Sequence, residues 1–190
     1  MVPAVDRSFQ ILDLLSRSSS PLGTSEVARR LRLPKSTAHG LLHSLEEVGA
    51  VAQTQRRYRL GPALERLGAI GELRRRWRPV LEQVAGWTGE TTFLGQPRGR
   101  RVAIVDEVLG KGAPVISAPV GSYVPASAGA LGHVLAGARV AEDRGEYLEG
   151  VNAVAVPVPG GLVWVAGFAG RFEAGRLPEV AALLERLTCG

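Results

Sequence analysis

Residues Leu22–Gly49 read LGTSEVARRLRLPKSTAHGLLHSLEEVG, and a few residues later the chain continues Arg56-Arg57-Tyr58-Arg59-Leu60. The first part holds two short amphipathic helix patterns with a tight turn between them. Thr24 or Ser25 is expected to cap a helix that turns Val27, Ala28 and Leu31 inward and Arg29, Arg30 and Arg32 outward. Pro34 suits the first turn of the next helix, where its missing N–H has no partner to lose. There Ala38, Leu41, Leu42, Leu45 and Val48 follow an i, i+3, i+4, i+7, i+10 pattern that buries one face. The opposite face carries Lys35, Ser36, Thr37, His39, Gly40, His43 and Ser44, and Gly49 ends the helix. Ala50 to Gln53 and Arg57 to Leu60 alternate like a hairpin that Gly61-Pro62 stops. Two helices, a turn and an arginine-rich ribbon are the parts of a winged helix-turn-helix, which predicts binding to duplex DNA.

Each candidate contact has a chemical reason. Lys35, Ser36, Thr37, His39 and His43 bring an ammonium, hydroxyls and imidazoles to a helix of groove-filling size. The N-terminus of that helix itself attracts phosphate. Arg56, Arg57 and Arg59 form the wing, expected to grip the sugar-phosphate backbone or the minor groove. The competing reading is a small interaction module whose charges are merely solvated. His39 and His43 also stand at the i, i+4 spacing of a helical metal pair. No Glu lies between them and no third ligand is near in sequence, so no metal is expected.

Outward from this stretch, Phe9, Ile11, Leu12, Leu14 and Leu15 form an apolar helical stripe after Asp6, a candidate cap, and Ser18-Ser19-Ser20-Pro21 breaks the helix. Charge divides the chain unevenly: residues 1–78 hold 14 Arg and Lys against 7 Asp and Glu, a net of +7, and residues 79–190 hold 9 against 11, a net of −2. A polyanion partner for the first part and a different partner for the second follow from this split. Between Pro62 and Arg78, Leu64, Leu67, Ile70, Leu73 and Trp77 mark a linker helix whose other face bears Arg66, Arg74, Arg75, Arg76 and Arg78. Domains are therefore expected at residues 1–61, 62–78 (the linker) and 79–190.

In the last part, a helix from Val80 to Thr88 precedes strand-like runs at Thr91–Gln96, Val102–Glu107 and Pro114–Val120. A small-residue helix, Ser127–Ala138, then leads to runs at Val151–Val158 and Leu162–Phe168, and a helix from Pro178 to Leu187 closes the chain. Strands mixed with segregated helices predict an α+β fold able to hold a small-ligand pocket. Catalysis is not expected. Pro125-Ala126-Ser127-Ala128-Gly129 lacks the first glycine of a nucleophile elbow, and the one downstream histidine, His133, is too close in sequence for a triad. Ser127 is expected to cap a helix instead. Asp106 and Glu107 are adjacent on a strand and so point to opposite faces.

Taken together, Val5-Asp6-Arg7-Ser8, Leu33-Pro34-Lys35-Ser36-Thr37-Ala38-His39, Leu41-Leu42 to Leu45-Glu46 and Tyr58-Arg59-Leu60-Gly61 resemble the IclR family of bacterial transcription regulators. Thr88-Gly89-Glu90-Thr91, Gly121-Ser122 with Pro125, Gly132, and Gly150-Val151 to Pro157-Val158 extend the resemblance more thinly. It implies a winged helix-turn-helix, a linker helix that helps dimerise, and a shortened GAF-like effector domain. Such domains bind small metabolites, often carboxylates, and change operator binding. The amides of Ala130 and Leu131 match the family's anion-contacting turn. Ala153 stands where a pocket cysteine is common, and Gly167 and Ala169 stand where two serines are. Ser127 and His133 replace a histidine and a lysine, and Gly40 replaces an arginine on the DNA face. A pocket stripped of those donors cannot offset the desolvation of a bound carboxylate, which implies a small or vestigial pocket and an effector more apolar than usual, or none.

The resulting expectation is a sequence-specific transcription regulator, a repressor, acting as a homodimer or homotetramer on a palindromic operator in double-stranded DNA. A small-molecule effector would modulate it. The alternative is a constitutive architectural DNA binder whose C-terminal domain serves only assembly. No enzymatic activity and no cofactor are expected. With 45% apolar residues but no apolar run long enough to span a membrane, no leader-like start between Met1 and Ser20, and Cys189 as the single cysteine, the chain reads as cytoplasmic and free of disulfides.

Overall fold

The computed structural model describes residues 3–188, so Met1 and Cys189 lie outside the described residues. The chain divides into two compact units, Met1–Gly71 and Glu72–Gly190.

In the first unit, helix α1 (Pro3–Ser16) buries Ile11 and Leu15. Phe9, expected on the same stripe, is 68% exposed, because two residues back from Ile11 lies roughly 200° round the helix. Asp6 sits within the first turn and accepts a hydrogen bond from Gln10 instead of capping. A two-residue strand β1 (Leu22–Gly23) leads into α2 (Thr24–Arg30), which buries Val27 and Ala28. Gly23 occupies the N-cap, and neither Thr24 nor Ser25 makes a capping bond there. After α2 the chain turns through Arg32 at φ 52, and Leu33 N–H donates to the Ala28 carbonyl at 2.9 Å. This left-handed closure re-aims the chain at Pro34, the N-cap of α3 (Lys35–Glu47).

Helix α3 buries Ala38, Leu42 and Leu45. Gly49 (φ 70) closes it, its N–H donating to Glu46 while that of Ala50 reaches Leu45, both at 2.8 Å. Val48 is the C-cap residue and is exposed, where the sequence pattern placed it on the buried face. Strands β2 (Val51–Thr54) and β3 (Arg57–Leu60) form the hairpin, and β1 pairs with the free edge of β3, giving the order β1-β3-β2. Tyr58 points from β3 into the core with Ile11, Leu22, Val27, Ala38 and Leu42.

Helix α4 (Pro62–Thr88) runs unbroken through the division between units. The helices expected on either side of Pro79 are therefore one. Pro79 is solvent-exposed, and Leu73, Trp77, Leu81, Val84, Ala85 and Thr88 keep a single buried face across it.

The second unit is built on a six-stranded antiparallel sheet of β4 (Thr91–Arg98), β5 (Arg101–Val108), β6 (Tyr123–Pro125), β7 (Ala141–Arg144), β8 (Val151–Val158) and β9 (Gly161–Phe168), in the order β6-β5-β4-β9-β8-β7. On one face Phe93, Ala155, Trp164 and Ala166 pack with Ala130, Leu131 and Val134 of the short helix α5 (Gly129–Leu135). The alternate residues Val154, Val156, Val163 and Val165 turn to the other face. Helix α6 (Leu177–Thr188) packs on β8 and closes the unit.

One expected strand is absent here and one strand was not foreseen, each for a physical reason. Residues 114–120 form no strand: Pro114 and Pro119 cannot donate to a ladder, and the pairing strand comes later, at Tyr123. The Ala-Glu-Asp-Arg segment of β7 is an edge strand that its composition does not announce. Ser127 is no cap either; Ala128 holds the N-cap of α5 without a side-chain bond.

Candidate nucleic-acid interface and ligand cavity

The open face of α3 begins with three backbone N–H groups, those of Lys35, Ser36 and Thr37, that precede the first intrahelical bond, from Ala38 to Pro34. No side chain caps them. Lys35 and Ser36 are exposed and Thr37 is half-buried against the core edge. One turn on, His39 and His43 are exposed on the same side, and His43 Nε2 lies 3.7 Å from Glu47. Gly40 between them has open space where a side chain would stand. Unscreened helix-end dipoles, a cation and short donors thus occupy one accessible surface.

The hairpin supplies the three arginines in unequal states. Gln55 and Arg56 form the two-residue turn with φ 52 and 61, the left-handed geometry of a tight hairpin normally given to Asn-Gly. Arg56 therefore projects from the tip at a conformational cost that glycine would avoid. Arg57 and Arg59 share the face opposite buried Tyr58. Arg57 is already engaged: its Nε donates to the Pro21 carbonyl at 2.8 Å and its terminal nitrogen lies 3.6 Å from Glu26. Arg59 makes no ion pair or hydrogen bond among the described residues. Arg56 and Arg59 are the unengaged cations of the ribbon, and Arg57 braces it to β1 and α2.

In the second unit, a cavity of about 110 Å³ opens between α5 and the sheet, with Phe93, Trp164, Ala153, Ala166, Ala130 and Leu131 among its walls. Phe93 and Trp164 stack there with ring centres 5.1 Å apart. Of the five residues expected around an effector, Ala130, Leu131 and Ala153 line the cavity. Gly167 and Ala169 do not. The pleat of β9 turns Ala166 and Trp164 inward, so Gly167 faces the other way, where a Cβ would meet Glu90 at 2.6 Å. Ala169 lies past the strand and donates its N–H to Gly150. The Leu131 amide, expected to be available to an anion, donates to Ala128 at 2.9 Å.

One wall residue was not anticipated. Asp143 on β7 is 5% exposed and is the one charged side chain on the cavity wall. Its Oδ1 accepts Glu146 N–H at 2.7 Å. Its Oδ2 packs against Gly129, where a Cβ would stand 1.6 Å away, and finds no donor among the described residues. Only alternation along β7 could have hinted at this inward acid, and β7 itself was not legible.

The other acids of this unit are held apart. Asp106 is buried and meets Arg78 at 3.1 Å and Arg74 at 3.4 Å. Hydrogen bonding to Glu82 and then the charge of Asp106 hold the Arg78 guanidinium above its ordinary pKa. Glu107 points elsewhere, accepting from Ser117 Oγ and Ala118 N–H. Glu90, 2% exposed, takes two bonds from Arg171 at 2.6 and 2.7 Å, and Arg171 also donates to the Pro114 carbonyl, which ties down the long loop before β6. His133 contacts Glu146 at 3.0 Å. Among the described residues no three His, Cys, Asp or Glu side chains gather as metal ligands, and no helix is long and apolar enough to cross a membrane.

Two family models match: the IclR helix-turn-helix domain over residues 4–55 and the bacterial transcriptional regulator IclR C-terminal domain over residues 69–142. The chain is 31% identical over 144 residues to the HTH-type transcriptional regulator XynR of Escherichia coli, covering 71% of this chain and 56% of that protein. It is 34% identical over 140 residues to the glycerol operon regulatory protein of Streptomyces coelicolor, covering 70% and 55%. The chain thus spans about half the length of the curated relatives it matches. Among solved structures, an IclR protein of Thermotoga maritima aligns over 99% of this chain and 96% of its own, with a TM-score of 0.55 at 20% identity. An IclR-family regulator from Brucella abortus aligns over 100% and 90%, also with a TM-score of 0.55 at 20% identity. These structures share the fold: an N-terminal helix-turn-helix part and a C-terminal α+β part.

Proposed function

The chain belongs to the IclR family of bacterial transcription regulators, and we propose that it is a sequence-specific DNA-binding regulator rather than an enzyme. The observation that carries this is the open face of α3. Three uncapped N–H groups, Lys35, Ser36, His39 and His43 all present themselves on one exposed side of a helix whose other side is buried. A helix of this length fits a major groove, with its N-terminal residues nearest the bases. Arg56 and Arg59 supply phosphate contacts beside it, and Arg57 fixes the ribbon that presents them.

In this reading residues 1–61 read DNA, 62–78 link, and 79–190 bind an effector and assemble the homo-oligomer. A dimer places two reading helices on half-sites about one helical turn apart, which calls for an inverted-repeat operator. Occupying a promoter with such an assembly excludes polymerase, so repression is the simplest regulatory outcome. A small molecule in the α5 cavity adjusts operator affinity through whichever arrangement of subunits it prefers.

The test is selection of bound duplexes from a random DNA library with the full chain at two salt concentrations. Enrichment of one inverted repeat at both supports the reading. Sequence-indifferent binding that collapses with salt favours an architectural protein.

A further inference from the structure

We infer that the α5 cavity takes an uncharged, single-ring-sized molecule bearing one O–H or N–H donor, held by Asp143, and that it rejects carboxylates. The inference rests on reading this cavity as the effector site and specifies what fills it.

Size comes first. A cavity of about 150 Å³ holds benzene, so the roughly 110 Å³ here sets one ring or a short branched chain as the upper limit. The stacked rings of Phe93 and Trp164 and the methyl groups of Ala130, Ala153 and Ala166 offer such a molecule dispersion contacts.

Polarity decides the rest. Asp143 is nine-tenths buried and is not ion-paired with any Arg, Lys or His among the described residues; the neighbouring Arg144 pairs with Glu142. An acid whose Oδ2 lacks a donor is stabilised by a ligand that brings one. A ligand carboxylate would meet a like charge in a water-poor space, with the Leu131 amide already committed to Ala128. Recognition by this wall is therefore by donor, not by anion.

Calorimetric titration of the full chain, without DNA, with phenol, benzene and benzoate reads this directly. Phenol should bind saturably, several-fold tighter than benzene and at least about tenfold tighter than benzoate. Ala153→Leu, which fills the cavity from the position paired with Asp143 across the strands, should abolish phenol binding, and Asp143→Asn should narrow the preference for phenol over benzoate to about threefold or less. Benzoate equal to or tighter than phenol, phenol binding undisturbed by Ala153→Leu, or no binding of any probe each overturns the inference. If Asp143→Asn fails to fold, the three probes on the natural chain and the Ala153→Leu chain still decide. Because no DNA is present, failure here leaves duplex selection untouched, and failure there leaves this ladder of affinities readable.

Discussion

The two units treat charge in opposite ways. The first displays cations at its surface: Lys35, Arg56 and Arg59 make no ion pair among the described residues, and the helix end beside Lys35 is uncapped. The second hides acids, with Glu90, Asp106 and Asp143 all buried, the first two answered by arginines and the third facing a cavity. Exposed, unanswered cations cost little to keep solvated and draw a polyanion from a distance. A buried, unanswered acid is stable only with donors nearby, and so it specifies what can enter. On the proposed reading, sign and burial together separate a surface for DNA from a pocket for a small neutral molecule.

Breaking the first unit's core should have the largest effect. Leu42 is wholly buried beneath the open face of α3, and Leu42→Ala should destabilise by about 2–5 kcal/mol in urea titration. Next comes base readout: Ser36→Ala should weaken binding by about 1–3 kcal/mol at particular base pairs and little at others, as competition between duplex variants would show.

The arginines sharpen the contrast within the ribbon. Arg59→Ala should weaken all duplexes alike and lower the salt slope by about one unit, because it removes one phosphate contact. Arg57→Ala should change the slope less, since this side chain is bonded to Pro21 and near Glu26, and should instead loosen the hairpin, visible as faster amide exchange at Tyr58. Arg56→Gly should act in both directions. Relief of the left-handed backbone should stabilise by about 1 kcal/mol in thermal melts, while loss of the charge weakens DNA binding. If Arg56→Gly were neutral to both, the tip would be neither strained nor in contact.

Much of the first unit was legible because its periodicities are local. Ala38, Leu42 and Leu45 repeat at helical spacing, and Tyr58 alternates with Arg57 and Arg59. What escaped there was of a kind that depends on tertiary contacts: Arg57 is captured by residues more than thirty positions away. In the second unit the central strands were legible from their apolar runs, and the cavity only in part, through Ala130, Leu131 and Ala153. The family resemblance pointed to Gly167 and Ala169, whereas the pleat of β9 turns Trp164 and Ala166 to this cavity. Asp143 sits on an edge strand without strand-like composition, and the Glu90–Arg171 pair joins residues eighty-one positions apart. Pro79 shows the converse: a strong local breaker overruled by a buried face that continues past it.

The most direct measurement is the affinity of the full chain for its selected duplex and for a scrambled duplex of the same composition, from about 50 to 200 mM salt. The account predicts at least about a thousandfold preference for the selected duplex, with both affinities falling steeply as salt rises. Equal affinities for the two duplexes at every salt concentration would contradict it.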